Sequence, residues 1–231
     1  MTVKIAWGLV SYGAIFLPKV YASHMAAMGH AQKVLMASGQ GSIATIGATD
    51  RMYTHTAENV TAREFLAGDY THLFMTEQDM ILPTDTIPKL LALDQPVAAG
   101  LYMMREGDGA PCLFQKTVTP ATNPYPHSPV TMFPADRPFR NDCPGLGCAL
   151  IRREVFERVP FPWFDLKESN YGSDMYFFTK VRDAGLEVWV DPSVRCGHMD
   201  YKEWSFEDWE RRVKTDPSYP ASGFLIGAAR R

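Results

Sequence analysis

The first hundred residues alternate between short apolar runs and stretches whose apolar positions recur every three to four residues. The apolar runs predict buried strands at 4–10, 33–37, 71–77 and 96–102. The periodic stretches predict helices at 18–28, 56–67 and 84–93. Residues 40–51 are rich in glycine and predict an irregular connection. Strands that alternate with helices in this way are typical of a parallel, layered sheet, so we predict an α/β fold.

The second half of the chain contains a long proline-rich segment, residues 105–141, with little periodicity. Segments of this length inside compact domains are usually functional or disordered. Regular patterns return after it and predict strands at 145–151 and 186–190. They also predict helices at 153–159, 174–184 and 206–213. We therefore interpret the proline-rich segment as an excursion from the regular part of the fold.

Composition supports a well-packed soluble protein. The chain has 231 residues, of which 46% are hydrophobic, enough for the core of one large α/β domain or two small ones. The formal net charge of -3 gives no electrostatic reason to expect a nucleic acid ligand, although a basic patch can exist in a chain with a neutral total. The candidates for such a patch are Arg51, Arg63, Lys116, Arg137 and Arg140.

Cysteine usage and hydropathy bear on the location of the protein. The four cysteines form no CxxC pair, so we interpret them as mostly buried thiols of a reduced, cytoplasmic protein and disfavour a pairing of Cys143 with Cys148. The apolar start at 1–17 lacks a basic region and is interrupted by Gly8 and Gly13, which favours a core strand over a signal peptide. No stretch approaches the roughly 18 apolar residues of a membrane-spanning helix, so we predict no membrane span.

The strand predicted at 71–77 leads into the most informative residues of the chain, Glu77 and Asp79. Alternate residues of an extended chain point the same way, so both carboxylates would project from the carboxyl end of this strand. Open α/β sheets bind their ligands at that end. No lysine or arginine lies near these acids in the sequence, and two such carboxylates suit a divalent cation held against a phosphate. The pattern therefore predicts a nucleotide substrate.

Two further polar residues are candidates for the same site. Asp174 opens the helix predicted at 174–184, where either Ser173 or Asp174 can simply cap the helix. Alternatively, the helix dipole keeps the Asp174 carboxylate ionised and it accepts a proton from an attacking hydroxyl. His198 follows a strand and a turn at 191–192; it is either a structural hydrogen-bonding residue or a ligand of a manganese-like ion. The residues alone leave these alternatives open.

Five segments, taken in order, resemble the motifs of GT-A glycosyltransferases, especially the small stand-alone family-2-like enzymes. They are the acid-ending strand at 73–80, the strand at 96–102, the Gly-x-Gly segment at 145–156, the acidic helix start at 171–177 and the closing segment at 184–198. The similarity spans about residues 3–200 and departs from the family pattern in two places. Glu77 stands for the usual first aspartate of the DxD motif, and Ser173 stands where a second acid is common.

The resemblance implies a single GT-A-like α/β domain at 1–200, with a mostly parallel central sheet flanked by helices. Its Rossmann-like, nucleotide-sugar-binding half would be 1–102 and its acceptor-binding, catalytic half 103–200, followed by a helical tail at 201–231. The acceptor is expected on the proline-rich segment. Aromatic residues suit the apolar faces of sugars, and the candidates are Trp163, Phe164, Trp204 and Trp209.

The resemblance also implies roles for the acids and the histidine. Asp79 would ligate a Mn²⁺ or Mg²⁺ ion that bridges the diphosphate of the donor, and His198 would complete the metal coordination. Asp174 would be the catalytic base of an inverting reaction, or would bind the donor sugar in a retaining one.

Donor contacts are implied for five residues besides Asp79. Ser11 and Tyr12, at the end of the first strand, would hold the nucleobase, and Tyr12 can stack on it. Glu77 would face the ribose or the donor sugar, and Gln78 and Gly147 are also expected to contact the donor.

The implied function is the metal-dependent transfer of a sugar from a nucleotide sugar to a hydroxyl acceptor. UDP is the commonest nucleotide of the class, and the acceptor would be a glycan, a small molecule or, as in phage-type enzymes, a hydroxymethylated base in DNA. The two departures keep open a catalytically silent nucleotide-sugar-binding protein on the same fold. A nucleotidyltransferase-like enzyme would need a basic, glycine-rich loop after the first strand, and residues 11–14 contain no basic residue.

Overall fold

The computed structural model describes residues 2–13, 17–47, 49–105, 109–116, 127–166, 172–200 and 203–215. Its strands are β1 (Val3–Val10), β2 (Gly41–Thr45), β3 (His72–Glu77), β4 (Met80–Ile81), β5 (Val97–Leu101), β6 (Leu113–Lys116), β7 (His127–Pro129), β8 (Phe139–Arg140), β9 (Cys143–Pro144), β10 (Cys148–Arg152), β11 (Val188–Arg195), β12 (Gly197–Met199) and β13 (Glu203–Trp204). Its helices are α1 (Pro18–Ala37), α2 (Thr54–Ala67), α3 (Thr86–Ala92), α4 (Arg153–Arg158), α5 (Ser173–Asp183) and α6 (Phe206–Thr215).

Seven strands form the central sheet, in the order β2-β1-β3-β10-β5-β11-β8. β1 pairs in parallel with β2 and β3, and β5 pairs in parallel with β11. β10 runs antiparallel between β3 and β5, and β8 is antiparallel at one edge. The strands β2, β1, β3, β5 and β11 therefore point the same way, which confirms the predicted, mostly parallel α/β sheet. We call the side where these five strands end the carboxyl edge of the sheet.

Helices cover both faces of the sheet, and the strands bury alternate residues on each face, as pleated strands do. Ile5 and Phe74 pack with α1 and α3 on one face, whereas Leu73 and Met75 pack with α2, α4 and α5 on the other. All four side chains are completely buried. Each such side chain contributes roughly 1.5–3 kcal/mol of hydrophobic free energy, so packing on both faces stabilises the positions of β1 and β3 in the sheet.

A third apolar cluster joins α6 to the sheet. Phe206, Trp209 and Val213 of this helix are buried together with Ala99 of β5 and Val190 of β11. The helix predicted at 206–213 is thereby confirmed, with two more residues at its end. The remainder of the predicted tail, residues 201–202 and 216–231, lies outside the described residues.

Two predictions near the start of the chain are wrong. Residues 33–37, predicted as a strand, are the end of α1. The buried residues of α1 keep a spacing of three or four throughout: Val20, His24, Ala27, Ala31 and Leu35. Because small alanines form much of this stripe, its helical period is weak in the sequence. β2 lies in the stretch predicted as irregular; it is an edge strand whose side chains are exposed or half-buried, so no apolar run marks it.

The strands and helices predicted in the second half of the chain are present, with some shifted bounds. β11 continues to Arg195, and its pairing with β5 shifts register between Asp191 and Arg195. The turn predicted at 191–192 is therefore wrong, because these residues belong to an irregular strand. All four cysteines are free thiols. Among the helices of the described residues, none has the length and apolar character needed to cross a membrane.

Candidate metal and nucleotide site

The carboxyl edge of the sheet brings Glu77, Asp79 and His198 together. Glu77 ends β3, and the chain then continues into β4. β4 pairs antiparallel with β12, so that His198 lies opposite Met80. The Met199 N–H also donates to the Asp79 carbonyl oxygen at 2.8 Å. This pairing explains how a histidine from far along the chain comes to lie beside Asp79.

These three residues fit a divalent cation. One ligand atom from each of Glu77, Asp79 and His198 lies within 4.8 Å of the other two. Carboxylate oxygen and imidazole nitrogen are ligands that manganese-like ions accept. Asp79 Oδ1 and His198 Nε2 are buried and have no hydrogen-bond partner among the described residues. An unpaired buried polar atom costs about 1–3 kcal/mol, and a shared cation would satisfy both atoms.

His198 has the orientation of a metal ligand. Its Nδ1 lies 2.8 Å from the Met103 carbonyl oxygen, so Nδ1–H donates and Nε2 is the ring nitrogen that can face a metal ion. Backbone hydrogen bonds of this kind fix the tautomer and the ring of metal-binding histidines. The ring stands edge-on to Tyr102, with the centroids 5.3 Å apart. Nε2 lies 3.7 Å from Asp79 Oδ2, which is too far for a hydrogen bond and close enough to share an ion.

Asp79 has a cationic neighbour that the sequence did not reveal. Arg105 Nη1 lies 2.7 Å from Asp79 Oδ2, so the fold supplies a basic neighbour that is distant from the acids in the sequence. Burial alone would raise the pKa of the Asp79 carboxyl, but His198 and Arg105 outweigh burial and hold this pKa below its ordinary value. Asp79 is therefore ionised at neutral pH, and its partner Arg105 is half-exposed beside the group.

Glu77 and Asp174 line a cavity of about 330 Å³, which we call the acid-lined cavity. It lies between the end of β3 and the starts of α2 and α5. Burial, followed by the charge of Asp79, raises the pKa of Glu77 to about 7. Burial also raises the pKa of Asp174 to about 6, opposed by the Met175 N–H, which donates to Asp174 Oδ1 at 2.8 Å. A carboxyl group whose pKa lies near the working pH is suited to accept a proton.

The start of α5 bears on both interpretations of Asp174. The N-cap residue is Gly172, which has a φ of 125° and no capping side chain, so neither Ser173 nor Asp174 occupies the N-cap position. The left-handed φ explains the glycine. Burial has the largest effect on the pKa of Asp174 and raises it, so burial acts against the predicted effect of the helix dipole on this carboxylate. Tyr171 of the same motif lies outside the described residues.

A further acid, Glu58 of α2, lines the same cavity and was missed by the sequence analysis. Its side chain is 2% exposed, and Oε2 has no hydrogen-bond partner within the described chain. Burial raises its pKa well above the ordinary value, against the effect of a hydrogen bond with the Ser173 side chain. The sequence did contain a signal, because Glu58 lies on the same helix stripe as the buried residues Thr61, Ala62 and Phe65.

The loop after β1 carries two of the predicted donor contacts. Ser11 Oγ lies 2.5 Å from Gln78 Oε1, which also accepts the Gly13 N–H at 3.2 Å. The Ser11 N–H donates to Thr49 Oγ1 at 3.2 Å. The side chains of Ser11 and Gln78 therefore hold the loop against the end of β3. Tyr12 is 69% exposed on this loop, so its ring is accessible to a planar ligand.

Gly147 lies behind the acids. Its N–H donates to Tyr102 Oη at 3.2 Å, and its carbonyl oxygen accepts from Thr76 Oγ1 at 2.8 Å. A Cβ at this position would come within 2.9 Å of Met80 Sδ, so a larger residue would displace the Met80 side chain or the Tyr102 ring. In this structure Gly147 supports the residues around it, and a direct contact with the donor stays a prediction.

The aromatic residues proposed for the acceptor are mostly in the core. Trp163, Phe164 and Trp209 are at most 7% exposed, since they pack in the apolar clusters that join α4, α5 and α6 to the sheet. They are therefore not available to stack on an acceptor, and that part of the prediction is wrong. The side chain of Trp204 lies outside the described part of the molecule.

The basic residues predicted for a nucleic-acid groove are largely engaged elsewhere. Arg63 lies over the Phe161 ring, 4.5 Å from its centroid. Three others pair with neighbouring acids: Arg51 with Asp50, Arg137 with Asp136 and Arg140 with Glu187. Neighbouring acids weaken the positive field of such residues, so the described part of the chain gives little support to an extended basic groove.

Comparison with known proteins supports the fold. The crystal structure of A197 from STIV is similar to this chain, with a TM-score of 0.60 and 16% identity, and the match covers 86% of each chain. At this identity the likeness shows the fold alone. No protein-family model and no curated protein matches the sequence. The predicted single GT-A-like α/β domain is thus confirmed as a fold, whereas the family-2-like and phage types stay predictions.

Proposed function

We propose that the protein is a metal-dependent glycosyltransferase that moves a sugar from a nucleotide-sugar donor to a hydroxyl acceptor. The observation that carries this proposal is the group formed by Glu77, Asp79 and His198 at the carboxyl edge of a GT-A-like sheet, where two buried ligand atoms have no partner among the described residues. Ligands of open α/β sheets bind at this edge. The accessible ring of Tyr12, on the loop that Gln78 braces, supports a nucleobase site next to the metal group.

A Mn²⁺ or Mg²⁺ ion held by Asp79 and His198, with Glu77 beside them, would act as a Lewis acid on the negative charge of the departing diphosphate. The protein itself orients the ligands. The Met103 carbonyl fixes the ring of His198, and the pairing of β4 with β12 fixes Asp79 next to it. Arg105 lies beside Asp79 and supplies a second positive charge near the place of the diphosphate.

Asp174 is the candidate for proton transfer. With a pKa of about 6, its carboxyl is mostly ionised at neutral pH and can take the proton of an attacking hydroxyl in an inverting reaction. In a retaining reaction the same carboxylate would bind the donor sugar. For the acceptor we favour a glycan or a small molecule over DNA, because Arg51, Arg137 and Arg140 are paired with acids.

The first test is thermal unfolding with Mn²⁺ and UDP, GDP or CMP. A nucleotide at about 100 times its dissociation constant adds roughly 2.7 kcal/mol, which raises the midpoint by about 5–10 °C for a domain of this size. We expect a metal-dependent shift with one nucleotide that Asp79→Ala abolishes. Asp136→Ala removes an exposed acid outside the metal group and should keep the shift. The absence of any shift in the wild type would refute the metal–diphosphate site.

A catalytically silent nucleotide-sugar-binding protein is the second candidate. Two observations favour it: Arg105 already pairs with Asp79, and Ser173 stands where the family commonly has a second acid. It predicts the same nucleotide binding without turnover. Incubation of the protein with Mn²⁺ and UDP-hexoses separates the two candidates. Release of UDP, with the sugar passing to water or to an added methyl glycoside, that disappears in Asp79→Ala supports the enzyme, and binding without release supports the silent protein.

A further inference from the structure

The acid-lined cavity contains more carboxyl groups than a metal ion at Asp79 requires. Glu58, Glu77 and Asp174 all line it, together with the hydroxyl residues Thr54 and Ser173. Among the described residues, the group with converging ligand atoms consists of Glu77, Asp79 and His198 and does not include Glu58 or Asp174. A metal ion at that group therefore does not account for these two acids.

Glu58 is the most unusual of them. Its side chain is almost completely buried, yet Oε2 has no hydrogen-bond partner among the described residues. Leaving a buried acceptor unpaired costs about 1–3 kcal/mol. An apolar residue would continue the buried stripe formed by Ala62 and Phe65 without this cost. Because Glu58 lines the cavity, a ligand bound there can supply the missing partner.

The lining of the cavity fits a hydroxyl-rich ring. Its carboxyl and hydroxyl groups can exchange hydrogen bonds with sugar hydroxyls, whereas three carboxyl groups disfavour an anion. Tyr53 is 76% exposed and stacks with His55, with the ring planes 18° apart, so the cavity is flanked by a flat aromatic surface. Aromatic rings pack well against the apolar face of a sugar. A volume near 330 Å³ lies at the small end of ligand sites, which run from about 300 to 1,000 Å³, and suits a single ring.

We propose that this cavity binds one sugar ring and that Glu58 is a specificity-determining residue, which hydrogen-bonds a hydroxyl of that ring through Oε2. The inference rests on the proposed function, because Glu77 borders both the metal group and the cavity. The ring is either the transferred sugar of the donor or a sugar of a glycan acceptor, and both present the same hydroxyl chemistry. A sugar that lacks the contacted hydroxyl binds less tightly, because Oε2 then stays buried and unpaired.

The donor arm of the test measures dissociation constants for UDP, UDP-glucose, UDP-galactose and UDP-N-acetylglucosamine by calorimetry with saturating Mn²⁺. If thermal unfolding selects another nucleotide, its sugar conjugates replace these. If the cavity holds the transferred sugar, Glu58→Leu weakens at least one UDP-sugar by about tenfold relative to UDP, whose own affinity is unchanged. Glu58→Gln keeps hydrogen-bonding capacity, so it should have a smaller effect.

The acceptor arm titrates the methyl glycosides of glucose, galactose and xylose onto the protein saturated with Mn²⁺ and UDP, observed by ligand NMR. If the cavity holds an acceptor sugar, Glu58→Leu abolishes binding of a methyl glycoside and leaves the ratio of UDP-sugar to UDP affinity unchanged. The two arms therefore distinguish the two sources of the ring.

Glu64→Gln, an exposed acid on the same helix, is the matched control and should change neither arm. Because Oε2 has no partner among the described residues, relief of its burial should offset loss of the Ser173 hydrogen bond, so Glu58→Leu and Glu58→Gln should unfold at or near the wild-type temperature. The proposal is overturned if Glu58→Leu leaves both the donor ratio and glycoside binding at wild-type values, or if it lowers the unfolding temperature while both are retained. If the wild type binds no nucleotide, the proposed function fails separately. Glycoside binding to the nucleotide-free wild type and to Glu58→Leu then still tests whether the cavity binds a sugar.

Discussion

Two hollows of similar volume lie on opposite faces of the sheet. The groove between α1 and α3, of about 370 Å³, is lined mainly by alanine, valine, leucine, isoleucine and proline. The acid-lined cavity, of about 330 Å³, contains three carboxyl groups. The two hollows differ in the free energy of their linings and not in volume. An apolar lining is stabilised by packing alone, whereas buried acids cost free energy unless a ligand pairs with them. Substitutions in the groove should therefore reduce stability and leave ligand binding intact, and substitutions among the acids should do the reverse.

The largest effect is expected at Asp174. Asn has nearly the same size but cannot accept the proton, so Asp174→Asn should lower turnover of the donor by about 10²–10⁴-fold while nucleotide affinity is retained. The carboxyl is protonated below its pKa of about 6, so wild-type turnover should fall as the pH drops through that value. The residual turnover of Asp174→Asn should not show this fall as the pH drops. Undiminished turnover in the variant would exclude Asp174 as the base, and rate–pH profiles of both proteins give the answer.

The opposite behaviour is expected for the groove, where Ile87 is completely buried between α3 and the sheet. Ile87→Ala leaves a cavity and should cost about 2–5 kcal/mol of unfolding free energy. For a domain of this size each kcal/mol lowers the midpoint by about 2–4 °C. Nucleotide affinity, measured well below the new midpoint, should equal that of the wild type. A weakened nucleotide affinity in Ile87→Ala would show that the two regions are coupled.

The next largest effect is expected in a comparison of two buried histidines, each of which forms a hydrogen bond with a backbone carbonyl. His24 and His198 each bond a backbone carbonyl at 2.8 Å, those of Met80 and Met103. Burial lowers the pKa of His24 to about 4, and its ring packs against Trp7. His198 differs because its Nε2 has no hydrogen-bond partner in the described chain. These contacts support a structural role for His24 and the proposed metal-ligand role for His198.

Alanine substitutions test this distinction. Both should lose roughly 1–3 kcal/mol of stability with the buried hydrogen bond, so each controls for the other. His198→Ala should in addition weaken Mn²⁺ binding at least about tenfold, whereas His24→Ala should retain it. The free Mn²⁺ signal in electron paramagnetic resonance measures both affinities. Equal Mn²⁺ affinity in the two variants would remove His198 from the metal site.

The histidines also show which parts of the candidate site can be predicted from the sequence. The acids were predicted because an apolar run that stops at Glu77 and Asp79 is a local pattern, and local patterns follow from strand geometry. The pattern around His198 was ambiguous by itself, and the resemblance to a family supplied its role. The structure brings it to Asp79 through the pairing of β4 with β12, a long-range contact between strands of two and three residues that leave almost no trace in hydropathy.

Sequence analysis missed Glu58 and Arg105 for different reasons. Glu58 was detectable, because an acid on the buried stripe of α2 contradicts the helical pattern and such contradictions concentrate at functional sites. Arg105 was not, since its contact with Asp79 depends on how the chain leaves β5 and no spacing rule connects the two positions. The strand wrongly predicted at 33–37 has a third cause, since the stripe of α1 is formed largely by small alanines.

The smallest effect is expected at Arg105, where the affinity for a cation and the affinity for an anion should change in opposite directions. Its guanidinium pairs with Asp79, so it repels a cation at the metal group and attracts an anion bound there. Arg105→Ala should therefore strengthen binding of Mn²⁺ alone by about two- to fivefold, the scale of a partly exposed ion pair. The same variant should weaken binding of UDP to the Mn²⁺-saturated protein by a similar factor, and both changes should shrink as salt is raised.

Arg105→Gln, which keeps the length of the side chain but not its charge, should behave like Arg105→Ala. If Mn²⁺ affinity and UDP affinity instead change in the same direction, Arg105 acts by shaping the site, and its charge is not what opposes the cation and favours the diphosphate.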